Sequence, residues 1–122
     1  MIDGMIRVLL LGAAIFAGHH SFAADFDVAK PVTLTGRVTK IEWMNPHVHI
    51  SLDVNEQAWS VELGSPNGLR ARGWTAKTLK VGDVVTVEGS RAKDGGNLAN
   101  ASVIVLASGV RLLTGSGLGK TS

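Results

Sequence analysis

From Val32 to Val38 the chain reads Val-Thr-Leu-Thr-Gly-Arg-Val, a strict alternation that puts every apolar residue on one side of an extended strand. Such a segment can only be half-buried in a sheet. The phase slips near Lys40, after which Ile41 and Trp43 take the inward positions. A mid-strand glycine, Gly36, combined with a phase slip predicts a bent strand carrying a bulge, the device small barrels use to turn a corner.

Asn45-Pro46 breaks that run, and His47 to Val54 follows with Val48, Ile50, Leu52 and Val54 on one face. Asn55 to Ala58 reads as the loop to a third strand marked by Trp59, Val61 and Leu63. Ser65 at an N-cap, Pro66 at the first helical position and Gly73 beyond the end predict a short helix. Thr75 to Leu79 reads as a further helical turn. Val84 to Gly89 and Ala99 to Leu106 predict two more strands, separated by a turn at Lys93-Asp94-Gly95-Gly96. Ser108-Gly109 then turns the chain into a short strand at Val110 to Leu113. Three strands, a helix and two strands is the element order of the OB-fold. The expected fold is mostly β, a small five- to six-stranded OB-like barrel with one short helix; an open β-sandwich is the alternative.

The 122 residues allow one domain, and the absence of cysteine removes disulfides, zinc–thiolate sites and thiol catalysis. A domain this small without staples must rely on its own core, which favours a closed sheet with no long free edge. The formal net charge of +2 is too small to require nucleic acid or anionic lipid as partner.

Arg7 followed by the apolar run Val8 to Ala17 has the layout of a cleavable signal peptide. That run is about half the ~20 residues needed to anchor in a bilayer. The expected organisation is a leader over 1–18, a barrel domain over 19–113 and a flexible tail over 114–122. The predicted location is the periplasm, with no transmembrane anchor after cleavage. Cleavage after Ala17 or Gly18 keeps His19 and His20 in the mature chain, whereas cleavage after Ala23 discards both.

All four histidines fall in two clusters, His19-His20 and His47 with His49. Residues two apart on a strand project to the same side, so His47 and His49 can present two imidazoles to one ion. The other reading is two solvent-facing residues of a half-buried strand. A free amine followed by Gly-His-His offers a square-planar nitrogen set, which selects Cu(II) or Ni(II). The metal candidates are therefore His19, His20, His47 and His49, with Cu(II) as the first cofactor. Glu62 reads as a partner for Arg70 or Arg72, or as an exposed strand acid. Trp43, Trp59 and Trp74 read as core or rim aromatics. No nucleophile elbow, phosphate loop or His-Glu-x-x-His is present, so an enzyme is not expected. With three Trp, three Phe and no Tyr, a stacking platform for nucleic acid is thin as well.

His19-His20-Ser21-Phe22, Pro31 to Gly36, Trp43 with Asn45-Pro46-His47, Gly64 to Asn67, Arg72-Gly73-Trp74 and Gly82-Asp83 with Val85 to Gly89 resemble domain-of-unknown-function family 6152, small exported bacterial proteins. The likeness runs from His19 to about Leu113. It implies a leader followed by a β-barrel, with the double histidine kept at the mature N-terminus. It places His47 in the family's Asn-Pro-His signature and His49 at a more variable position. Two functions stay open. One is a periplasmic module binding copper or another divalent transition metal through its histidines. The other is a metal-free structural or protein-interaction barrel whose partner is another envelope protein.

Overall fold

The structure is a computed structural model that describes residues 25–116. Among these residues the chain forms six strands and one short helix: β1 (Phe26–Glu42), β2 (His49–Val54), β3 (Gln57–Glu62), α1 (Pro66–Ala71), β4 (Val84–Ala92), β5 (Leu98–Leu106) and β6 (Arg111–Leu113). The protein is mostly β, as the alternation predicts. No helix among the described residues is long and apolar enough to cross a membrane.

β1 is the organising element. Its first part pairs antiparallel with β4, from Phe26 opposite Ala92 to Arg37 opposite Val84. Its second part pairs antiparallel with β2, from Arg37 opposite Asp53 to Glu42 opposite His49. One strand serves two neighbours because it bends. The register shifts between Val38 and Lys40, where the sequence phase slips, and again between Asp27 and Pro31. At the bend Gly36 is required, since a Cβ there would lie 2.5 Å from the Asp53 carbonyl oxygen.

Sheet order is β3-β2-β1-β4-β5-β6, with a further parallel pairing between β3 and β5. That pairing sets Ser60, Val61 and Glu62 beside Leu98, Ala99 and Asn100. It joins the β2–β3 hairpin to the far side of the sheet. The hairpin itself turns on Asn55 and Glu56, both at positive φ, 51° and 67°. This is the primed turn whose twist matches the flanking strands. The loop is thus two residues, shorter than the four expected from Asn55 to Ala58.

The inward faces supply the core: Leu34 and Val38 from β1, Ile50 and Leu52 from β2, Trp59 and Val61 from β3, Val85 and Val87 from β4, and Ala99, Ala101 and Ile104 from β5. Leu69 of α1 and Trp74 close one end. α1 begins where the capping residues place it, with the Ser65 hydroxyl accepting from Gly68 N–H at 3.0 Å. Gly73 leaves the helix at φ 93°. The helical turn expected over Thr75 to Leu79 is instead a plain turn held by Thr78 N–H on the Thr75 carbonyl. Trp74 Nε1 donates to the Leu113 carbonyl at 2.9 Å, tying this segment to β6.

Residues 114–116, placed by sequence in the flexible tail, pack against the sheet. Thr114 and Ser116 are buried, the Thr114 hydroxyl donates to the Ala101 carbonyl, and Gly64 N–H donates to the Thr114 carbonyl. Gly115 and Ser116 read as frayed by composition, but Ser116 is buried and its Oγ accepts from Asn100 Nδ2 on β5. Residues 117–122 lie outside the described residues, as does the whole expected leader, 1–18.

Candidate functional site

The outward faces of β2, β3 and β5 meet on the short parallel seam. Within the β2–β3 hairpin, His49 is directly opposite Glu62. Across the seam Glu62 is paired with Asn100. Directly opposed residues share a face, so these three side chains stand in one row on the outside of the sheet. His47 arrives from the turn before β2, where the Asn45-Pro46 peptide is cis. Backbone bonds from Val48 N–H to Gly64 O and from Leu63 N–H to Val48 O carry the pairing past the strand end and bring His47 alongside.

One carboxylate oxygen gathers both imidazoles. Glu62 Oε1 lies 3.7 Å from His47 Nδ1 and 3.4 Å from His49 Nε2. The other oxygen, Oε2, accepts from Asn100 Nδ2 at 3.2 Å, and that same nitrogen donates to Ser116 Oγ at 2.7 Å. Asn100 is 1% exposed, and its Oδ1 has no partner. Such an amide is fixed by what it donates to, so it holds the carboxylate rather than following it. Glu42 stands across from His49 on β1 and is 3.8 Å from Lys40 Nζ.

The protonation states follow from this arrangement. His49 is raised above its ordinary value, first by its hydrogen bond with Glu62, against the opposing effect of burial, and then by the charges of Glu62 and Glu42. Burial pushes Glu62 up, but the hydrogen bond with His49, the charge of His47 and the bond from Asn100 together bring it below the usual carboxylate range. Glu62 is therefore held as a carboxylate near neutral pH, with both imidazoles beside its Oε1.

Of the expected metal residues, the structure therefore brings His47 and His49 together. His19 and His20 lie outside the described residues. Glu62 faces away from Trp59 and Val61 as expected, but its partners are the two histidines and Asn100. Arg70 Nη1 instead donates to Asn67 Oδ1 at 3.1 Å, with its guanidinium 5.8 Å from the Trp43 ring centroid. Arg72 Nη1 donates to the Gly68 carbonyl. Among the described residues, no three His, Cys, Asp or Glu side chains already form a shell that could hold an ion.

Sequence alone singles out Glu62 only as an arginine partner or exposed acid, and it does not single out Asn100. The first had a usable signal: counting outward from a two-residue turn at Asn55-Glu56 places His49 opposite Glu62. Asn100 had none, since it reaches the row only through the parallel seam.

No curated protein shows significant similarity to the chain. Among solved structures it is similar to TiaS in a complex with tRNA(Ile2) and ATP, at 26% identity and a TM-score of 0.49, over 62% of this chain and 18% of TiaS. A ZRD-deleted TiaS bound to agmatine is similar at 28% identity and a TM-score of 0.49, over 70% of this chain and 22% of that one. The chain spans about a fifth of those proteins. The model of a family of unknown function, DUF6152, matches residues 8–101, and the chain belongs to that family.

Proposed function

We propose that this chain is an exported, periplasmic metal-binding module built on an OB-like barrel, taking Cu(II) first among the divalent transition metals. The observation that carries the reading is the convergence of His47 and His49, from a turn and a strand, on one point beside Glu62. Neutral imidazole is the commonest protein ligand for such ions. The barrel reading rests on the parallel pairing of β3 with β5, which returns the sheet order to its starting side. Export rests on the leader pattern from Arg7 to Ala17. A mature N-terminus at Gly18 or His19 would add His19 and His20 as nitrogen donors. No constellation for catalysis accompanies the site, so binding or handling of the ion is the activity proposed.

The test is native mass spectrometry of the protein exported from its own leader, with and without added Cu(II). One retained copper that is lost in His47→Ala and His49→Ala is the expected result. A chain that holds no metal in either preparation overturns the reading.

A second reading has its own support. The row of His49, Glu62 and Asn100 closes on itself through an ion pair and a hydrogen bond, as it would in a metal-free structural or protein-interaction barrel of the envelope. In that case His47→Ala lowers stability and changes no metal response.

A further inference from the structure

We propose that the outward face of β1, β4 and β5 binds a small neutral molecule through a secondary amide, in a groove floored by Ser90 and Asn100. The groove shares only Asn100 with the histidine row, and binding there needs no metal.

Register builds the floor. Ser90 is directly opposite both Pro31 on β1 and Asn100 on β5, so the three side chains share the outward face. The register shift between Asp27 and Pro31 takes β1 out of the ladder, and Val28 of that stretch forms a wall with Pro31 and Val32. The space enclosed is about 280 Å³, close to the lower limit of about 300 Å³ for small-ligand pockets.

Two polar groups in this floor are buried and unanswered. Asn100 is 1% exposed and Ser90 is 6% exposed. Asn100 Nδ2 gives its hydrogens to Glu62 Oε2 and Ser116 Oγ, which fixes the orientation of the amide. Glu62 lies across one edge of β5 and Ser90 across the other. The planar amide therefore turns Oδ1 away from β3, toward the β4 side, where it has no partner. Ser90 Oγ makes no hydrogen bond with any described residue, and neither does Thr33 Oγ1 in the same lining. Buried polar groups of this kind are completed by water or by a ligand.

The lining sets the class of ligand. An acceptor-only oxygen calls for an N–H or O–H, while the Ser90 hydroxyl can donate to a carbonyl. A secondary amide supplies both ends, and the carbons flanking it match Val28, Pro31 and Val32. A charged ligand gains nothing here, because Glu88, the acid of the lining, is bound at both oxygens by Arg111. Acetylated amino sugars and capped amino acids both present that group.

The test is a titration of the full chain followed by amide and side-chain chemical shifts, with N-acetylglucosamine, N-acetylalanine methylamide and glucose as probes. Shifts confined to the groove with one or both amides, and absent with glucose, are expected; the amide that binds identifies the source. Ser90→Ala removes the hydroxyl and should weaken binding roughly 5-fold, the loss of one neutral hydrogen bond. Thr33→Val keeps the side-chain shape, should weaken binding roughly 3-fold, and carries the test if Ser90→Ala fails to fold. Equal shifts with glucose overturn the amide reading, as does binding that both variants leave unchanged. No shifts with any probe show a groove that holds water only, and overturn the proposal.

Discussion

Two glutamates flank β5, and they are held in opposite ways. Glu88 on β4 is exposed and takes both its oxygens to one Arg111 guanidinium, at 2.8 Å each. Glu62 on β3 is half-buried and divides its oxygens between an amide and two imidazoles. The first pair is saturated: a planar fork meets a planar carboxylate and nothing remains to bind a ligand. The second is held on one side only: Oε2 takes the buried Asn100 amide, while Oε1 faces two part-exposed imidazole rings. The carboxylate locked to an arginine serves only to pin β6 to β4.

That contrast depends on β5, and the largest effect should come from displacing it. Gly89→Ala would place a Cβ 1.9 Å from the Asn100 carbonyl oxygen and 3.0 Å from Ala101 Cα, both backbone atoms of β5. Overpacking typically costs about 1–3 kcal/mol, and a clash with backbone places this change at the upper end. Chemical denaturation should register that loss, together with loss of any Cu(II) binding. A stable Gly89→Ala with intact binding would break the idea that β5 positions Glu62.

Asn100→Leu is the next step down. It fills the same space but leaves Glu62 Oε2 and Ser116 Oγ without their donor. Hydrogen bonds to charged groups contribute about 1.5–3 kcal/mol, and the half-exposed setting places the expected loss near 2 kcal/mol. The urea midpoint checks this, and the Glu88 side of the sheet should be untouched.

The pH dependence of stability sharpens the comparison further. His49 is raised when folded, so its contribution is fully present below the ordinary value of 6.5 and is lost as pH rises through the raised one. Glu62 is lowered, so its contribution is present above the ordinary value of 4.5 and fades as pH falls through the lowered one. The His49–Glu62 pair therefore contributes most between those two ordinary values. His49→Gln should lie furthest below wild type in urea midpoint near pH 5.5 and converge with it in alkaline buffer. Glu88, lowered by its bond with Arg111, has a partner that never loses its proton in this range. Its pair should persist where the other has gone. A constant gap between His49→Gln and wild type across pH would remove the proposed coupling.

The smallest effect belongs to Arg111→Ala. An exposed ion pair is screened by water and salt, so the thermal midpoint should not move measurably. A clear drop would mean that β6 depends on this pair more than its exposure implies.

Much of this architecture is legible in the chain. Period-two alternation marks the strands because a half-buried sheet demands it, and the slip near Lys40 falls at the observed bulge. Ser65, Pro66 and Gly73 place α1 through local backbone chemistry alone. The site was half legible. His47 and His49 stand out by spacing, but a two-residue error in the Asn55-Glu56 turn moves His49 away from Glu62, because register propagates down the whole hairpin.

Local pattern specifies the strands, their inward faces, the helix caps and the two imidazoles, since each depends on residues within one turn or one strand of each other. Tertiary structure alone decided which carboxylate those imidazoles meet and what holds it. Glu62 and Asn100 are 38 residues apart, and the composition around Ser116 reads as a flexible tail. Their meeting depends on a three-residue parallel seam between β3 and β5. Parallel contacts carry no turn signal and no local periodicity, so they exist only once the rest of the sheet has bent far enough to bring its ends together.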